Sequence, residues 1–108
     1  MNDRFECEIG MVRAGEPRDV LIRGEMDLAT APELEAQVLR AFEGGPSAVV
    51  LDLAALTFID SSGLRALVAL SNQASERGSS LALKNVPRHA QRVLHLTGLA
   101  DFFGAAGS

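Results

Sequence analysis

The chain has 108 residues, 47% of them hydrophobic and 22% charged, which is ordinary for a single soluble globular domain. A net charge of −4 and the lack of Trp and Tyr argue against a nucleic-acid partner. No apolar run is long enough to span a bilayer, and the N-terminus lacks the features of a signal peptide, so we expect a cytoplasmic protein without membrane contact.

The first 24 residues predict a hairpin. Apolar and polar side chains alternate over residues 5–12, which is typical of a half-buried strand. Gly15 and Pro17 interrupt the pattern, residues 19–23 predict a second short strand, and Gly24 is expected to end it. Cys7, the single cysteine, lies in the alternating segment, so we expect a small apolar side chain and not a disulfide.

A loop and a helix are predicted next. Residues 24–29 contain two carboxylates, and Thr30-Ala31-Pro32-Glu33 has the form of a capping box with proline in the first turn. Gly44-Gly45-Pro46 is expected to end the helix. Its buried side is predicted to consist of Ala31, Leu34, Val38, Ala41 and Phe42.

The most informative stretch covers residues 48–70. Its beginning, residues 48–53, is apolar on both faces, as expected of a central strand. Asp60-Ser61-Ser62-Gly63 interrupts the run, and apolar residues then recur at helical spacing. Any of the residues Asp60, Ser61 and Ser62 can act as the N-cap, and the same position suits a phosphate on a serine, because a helix N-terminus has free N–H groups. The core-facing side of this helix is predicted to hold Leu64, Leu67 and Val68.

The remaining chain predicts a strand over residues 80–84, a helix opened by Pro87, a short strand over 99–103 and a mobile tail over 104–108. The core-facing side of this third helix is predicted to hold Val86, Ala90, Val93 and Leu94. Alternating strands and helices indicate an α/β domain over residues 1–108. We expect a mixed sheet of four to five strands, with about three helices packed against it.

The sequence does not match the residue spacing of common catalytic, metal-binding and phosphate-binding motifs. A serine hydrolase elbow needs glycine two residues before the nucleophile, where Ile59 and Asp60 stand instead. His89 and His95 are six residues apart, which is not a metal-ligand spacing, and no phosphate-binding loop is present. An aspartyl-phosphate receiver built on Asp52 lacks a convincing early acidic pair. We therefore expect no enzymatic activity, no metal and no cofactor.

Two segments resemble a known family. LTFIDSSGLRALVAL, residues 56–70, is similar to the signature of the STAS domain family, and specifically of small bacterial anti-sigma factor antagonists, where a strand leads into D-S-S/T-G-L. GEMDLATAPEL, residues 24–34, lies upstream at the family's usual distance. The resemblance extends over residues 5 to about 103. Family members usually carry one more helix after the last strand, and this sequence has no counterpart for it.

The resemblance implies a partner-switching mechanism. The family's phosphoacceptor, the first serine after the aspartate, corresponds to Ser61. The unphosphorylated antagonist binds a serine kinase that is also the anti-sigma factor and thereby frees the sigma factor. Phosphorylation ends this binding and a serine phosphatase restores it. Asp27, Asp60, Ser62 and Gly63 are expected to support the phosphosite, and the candidate partner contacts are Met26, Leu28 and Arg65.

Two other functions remain open at this point. STAS domains also serve as regulatory subunits without a phosphorylation switch, for example docked on the ATPase of bacterial lipid transporters. An intrinsic nucleotide-binding or enzymatic role is the third possibility. The complete Asp60-Ser61-Ser62-Gly63 sequence favours the phosphorylation switch.

Overall fold

A mixed five-stranded sheet forms the centre of the computed structural model, which describes residues 4–11, 13–99 and 103–105. The strand order is the order of the sequence; the first two strands pair antiparallel and the later pairs are parallel. The α/β class and the mixed sheet are therefore confirmed. The elements are β1 (Phe5–Ile9), β2 (Pro17–Met26), α1 (Ala31–Ala41), β3 (Ala48–Ile59), α2 (Ser61–Glu76), β4 (Leu81–Lys84), α3 (Arg88–Leu96) and β5 (Gly104–Ala105).

The predicted hairpin of β1 and β2 is present, but β2 continues past Gly24 to Met26. Gly24 has a φ of +98°, and a Cβ built on it would lie 2.0 Å from the Arg4 carbonyl oxygen. The glycine is thus required by the close approach of β1. The expectation that it ends the strand was wrong. The β1 strand itself ends at Ile9, and Val12 lies outside the described residues.

The β3 strand continues well beyond the predicted residues 48–53, because it stays paired with β2 up to Met26 and Ile59. The register with β2 shifts between Leu21 and Arg23 and again between Gly24 and Glu25, and each shift adds one residue to β3. At the first, the Asp52 carboxylate accepts a hydrogen bond of 3.0 Å from the Ala54 N–H. The spacing of inward-facing residues changes from two to three after these bulges. The inward-facing residues Val49, Leu51, Leu53, Leu56 and Ile59 are buried, and so is Val50.

One hydrophobic cluster joins the sheet to all three helices. Most positions predicted to be in the core are buried in it: Leu34, Val38, Ala41, Phe42, Leu64, Leu67, Ala90 and Leu94. Val68, Val86 and Val93 are partly buried and pack against it. The half-buried Cys7 also packs there, and burial raises the pKa of its thiol to about 11, which agrees with the apolar role expected for it.

The C-terminal strand predicted over residues 99–103 is absent at its two described ends, Leu99 and Phe103. Leu99 is not in a strand, and the short strand β5 instead comprises Gly104 and Ala105, which pair with Ala82 and Leu83. The first two residues of the expected mobile tail are therefore part of the sheet. Residues 100–102 and 106–108 lie outside the described residues.

Arg18 links β2 to the end of α1. Its guanidinium donates hydrogen bonds to the carbonyl oxygens of Gly10 at 2.8 Å, Ala41 at 3.1 Å and Glu43 at 3.2 Å. The last carbonyls of a helix have no partner within the helix, so the positive side chain stabilises the C-terminus of α1.

We expect Arg18→Met to lower the free energy of unfolding by about 2 kcal/mol, because it removes charged hydrogen bonds while keeping the aliphatic stem. Urea denaturation measures the change. Arg13→Met is the matched control, since the Arg13 side chain is 71% exposed and its nitrogen lies 4.0 Å from Glu16. Equal stability of the two variants would contradict the role given to Arg18.

Candidate functional site

The carboxyl ends of β2 and β3 lie side by side. Met26 pairs with Ile59, and the Asp60 N–H donates to the Met26 carbonyl oxygen at 3.1 Å. Asp27 and Asp60 therefore follow neighbouring parallel strands at one edge of the sheet. The first turns of α1 and α2 begin at this edge, where α/β domains commonly bind ligands and partners.

The structure decides which residue caps α2. Asp60 has an extended backbone, and its carboxylate accepts hydrogen bonds from the N–H groups of Ser62 at 2.9 Å and Gly63 at 3.1 Å. Asp60 is thus the N-cap, and the ambiguity among three residues is resolved. Ser61 becomes the first residue of α2 and is exposed, whereas Ser62 is half-buried.

Gly63 lets α2 pack directly against β2. A Cβ at this position would lie 2.5 Å from the Met26 carbonyl oxygen and 2.9 Å from the Met26 Cβ. Met26 itself has an exposed fraction of 0% and belongs to the core. The expectation that Met26 contacts a partner was therefore wrong: β2 extends through this residue and directs its side chain inward.

Asp27 and Thr30 organise the loop before α1. The Asp27 carboxylate accepts from the Thr30 N–H at 3.1 Å, while the Asp27 N–H donates to the Thr30 hydroxyl at 2.9 Å. That hydroxyl donates to the Glu25 carbonyl at 2.8 Å. Thr30 is the N-cap residue of α1 but makes no side-chain cap to the helix, so the predicted capping box was wrong.

Arg4 brings positive charge to this loop. Its guanidinium contacts both carboxylate oxygens of Glu25 at 3.0 Å and forms an ion pair with Asp27. The hydrogen bond to Glu25, with the charges of Asp27 and Glu25, raises the pKa of Arg4. Sequence reasoning missed Arg4, because only the antiparallel pairing of β1 with β2 brings it beside residues more than 20 positions away.

The acidity of Asp27 reflects these contacts. Burial alone raises the pKa of Asp27, but hydrogen bonds from the N–H groups of Thr30 and Ala29 and the charge of Arg4 outweigh it, so the pKa lies below its ordinary value. The family resemblance implies that Asp27 supports the phosphosite. In the structure Asp27 is 8% exposed as a residue, and its carboxylate is compensated by Arg4.

This lowered pKa predicts a pH dependence of stability. Ionised Asp27 stabilises the fold above its unfolded pKa of about 3.9, and the stabilisation is lost as the pH falls through the lower folded pKa. We expect Asp27→Asn to melt earlier than the parent at pH 7, with a difference that shrinks towards pH 2.5. Arg4→Met should also reduce the part of the melting temperature that is lost between pH 7 and pH 2.5, because it removes the charge that stabilises ionised Asp27. Melting temperatures from pH 2.5 to 7 test this, and a pH-independent difference would contradict it.

Exposed side chains occur on the segments that meet at this edge, which are the loop after β2, the end of β3 and the beginning of α2. Leu28 has an exposed fraction of 76% and Phe58 of 45%, and Arg65, one helical turn after Ser61, is also exposed. We call Leu28, Phe58, Ser61 and Arg65 the Ser61 surface. Leu28 and Arg65 are accessible, as their predicted contact role requires. Phe58 was missed, because the bulge that turns it outward has no sequence pattern.

Metal-ligand clusters and membrane-spanning helices are both absent from the part of the chain that the structure describes. The described residues contain no group of three or more His, Cys, Asp or Glu side chains suited to a metal ion. None of the helices in residues 4–11, 13–99 and 103–105 combines the length and hydrophobicity needed to cross a bilayer.

Comparisons with known proteins agree on one fold family. The family model described as "Mlab, STAS domain" matches residues 9–104. The anti-sigma-F factor antagonist RsfB of Mycobacterium tuberculosis is 38% identical over 84 residues, which are 76% of this chain and 66% of RsfB. The anti-sigma-B factor antagonist of Staphylococcus epidermidis is 30% identical over 83 residues, 77% of each protein.

A solved structure shows the same fold. The anti-sigma factor antagonist SpoIIAA in its unphosphorylated form matches with a TM-score of 0.76 and 21% identity, over 95% of this chain and 90% of that one. The Bacillus SpoIIAA structure in the phosphorylated form gives a TM-score of 0.68, also at 21% identity, over 95% and 93% of the two chains.

Proposed function

Because the chain belongs to the STAS domain family, we propose that it acts as an anti-sigma factor antagonist that phosphorylation of Ser61 switches off. The observation that carries this proposal is the exposed Ser61 side chain in the first turn of α2. Relatives named anti-sigma factor antagonists support the general role. The switch is supported by the existence of a phosphorylated form of SpoIIAA, a protein with this fold.

The fold is suited to accept a phosphate at Ser61. The group would lie at the positive end of the α2 dipole, where a negative charge is tolerated or favoured by roughly 0.3–1 kcal/mol. The Asp60 carboxylate binds two of the free N–H groups, so the helix start does not depend on the Ser61 hydroxyl. Arg4 compensates Asp27, which limits the repulsion that this carboxylate adds. Phosphorylation should therefore leave the domain folded.

The Ser61 surface is suited to bind a partner. Leu28 and Phe58 supply exposed apolar area, and Ser61 and Arg65 supply an exposed hydroxyl and guanidinium. In the proposed cycle, this surface of the unphosphorylated protein binds a cytoplasmic anti-sigma factor that is also a serine kinase, and the sigma factor is released. The kinase then transfers the ATP γ-phosphoryl group to the Ser61 oxygen, with loss of the hydroxyl proton. A phosphatase hydrolyses the phosphoserine and restores binding.

Phosphorylation mapping tests the proposal. The purified protein is incubated with candidate anti-sigma kinases of its host and Mg-ATP, and the modified residue is identified by mass spectrometry. We expect one phosphate on Ser61, none in Ser61→Ala, and normal phosphorylation of Ser75→Ala as the matched control, since Ser75 is exposed near the other end of the same helix. Phosphate on another residue would contradict the assignment. An unmodified protein that associates stably with a transporter ATPase would favour the docked regulatory subunit instead.

A further inference from the structure

Charge is unevenly distributed along this acidic chain. Residues 77–100 contain four of the ten basic residues, Arg77, Lys84, Arg88 and Arg92, and none of the 14 acidic ones. The rest of the chain has six basic residues against 14 acidic residues. The segment that contains α3 is therefore positive, while the remainder of the protein is strongly negative.

The two arginines of α3 are exposed and lie one helical turn apart. Neither belongs to an ion pair among the described residues, whereas Lys84 of the same segment pairs with Asp19 at 3.3 Å. The first turn of α3 contains no acidic residue either. The positive charge of Arg88 and Arg92 is thus left uncompensated within the described chain.

A shallow groove lies against the same helix, and all of its described lining residues belong to α3. Its volume is about 480 Å³, and Leu94, with an exposed fraction of 7%, forms part of its floor. Leu96 on the same groove has an exposed fraction of 78%, which is high for a large apolar side chain. The α3 surface, defined by the groove-lining residues, consists of Arg88, Gln91, Arg92, Leu94, His95 and Leu96.

We propose that the α3 surface is a second docking site, which binds an acidic segment of another protein. Carboxylates spaced about one helical turn apart would match Arg88 and Arg92, and an apolar side chain would cover Leu96. This inference does not depend on Ser61 or its phosphorylation, because Ser61 opens a different helix. The site gives the domain a way to hold a partner whatever the state of the Ser61 surface.

The charge and size of the surface favour protein over other anionic partners. The acidic remainder of the chain would repel the phosphates of a nucleic acid, which extend well beyond a nine-residue helix. One exposed leucine is too little apolar area for stable insertion into a lipid headgroup region. A short acidic peptide segment can contact α3 alone and avoid both problems.

A peptide titration tests the docking site. The probe is a 12-residue acetylated peptide of Glu, Ala and Leu with glutamates four residues apart, added to the ¹⁵N-labelled full chain at low salt. We expect amide shift changes concentrated in α3, and at least tenfold weaker binding to the double variant Arg88→Glu/Arg92→Glu. Arg88→Gln/Arg92→Gln is a milder pair that should weaken binding several-fold if the first variant fails to fold.

A charge-matched control distinguishes loss of a binding site on α3 from a general effect of the protein's net charge on peptide affinity. Arg40→Glu/Arg77→Glu changes the total charge equally at exposed positions outside α3 and should alter the affinity less than threefold. Equal loss in both double variants, or shift changes centred elsewhere, would overturn the proposal. So would tighter binding at α3 of anionic phosphatidylserine vesicles or a DNA duplex, or self-association of the chain through this helix.

Discussion

Ser61→Asp is expected to weaken binding of the anti-sigma partner by about 1000-fold and to change the melting temperature by only a few degrees. Two unit charges about 4 Å apart repel by ~4 kcal/mol at an effective dielectric constant near 20. Each 1.4 kcal/mol corresponds to roughly a factor of ten in affinity. A single contact with a partner carboxylate is therefore sufficient, whereas the N-terminus of α2 accepts the same charge within its own domain.

Isothermal titration calorimetry and thermal melting measure the two effects on the same preparation. Ser75→Asp is the matched control, because Ser75 is exposed on the same helix about 21 Å further along its axis. It adds the same charge and should bind the partner normally. A comparable loss of affinity in Ser75→Asp would mean that net charge, and not the Ser61 position, governs binding.

Gly63→Ala is expected to destabilise the domain by about 3 kcal/mol or more. The added Cβ would lie 2.5 Å from a backbone carbonyl of β2, which cannot move aside as the end of a flexible side chain can. Relief requires α2 to shift away from Met26, and that shift opens the core and displaces Asp60 from its cap. We therefore expect partner binding to weaken as well, even where the variant is still folded.

Urea denaturation of Gly63→Ala beside Ser62→Ala isolates the steric effect. Ser62 already carries a Cβ in the first turn of α2, and alanine is the better helix former, so this control should stay within about 0.5 kcal/mol of the parent. Parent-like stability of Gly63→Ala would show that α2 does not pack against β2 as described.

Local patterns predicted the helices and the order of elements well. The side of α1 that contains Leu34 and Val38 is buried as its spacing indicates, because this signal lies within one element. Features that depend on two distant segments escaped prediction. Gly24 appeared to end a strand, yet it lies inside β2, where the Arg4 carbonyl approaches it. The bulges of β3 likewise arise from register with β2, which alternation along one strand does not reveal.

In the candidate site, too, local features were predicted and features that depend on distant segments were not. The strand-to-helix junction was identified from the sequence, because Asp60, Ser61 and Gly63 lie within four consecutive residues. Only the structure shows that Asp60 is the N-cap of α2. The pairing of β1 with β2 places Arg4 beside the Asp27 loop, which no local sequence pattern indicates. Met26 is not part of the predicted contact surface, because β2 is longer than its sequence pattern predicts. Side-chain direction at the end of a strand depends on register, which one sequence does not specify.

The most direct measurement compares the protein with phosphoserine at position 61 before and after phosphatase treatment, each titrated with the anti-sigma partner. We predict no detectable binding at 100 times the dissociation constant of the unmodified protein, an unchanged folded state by circular dichroism, and full recovery of affinity once the phosphate is removed. Equal affinity before and after treatment, or unfolding of the phosphorylated form, would contradict the account.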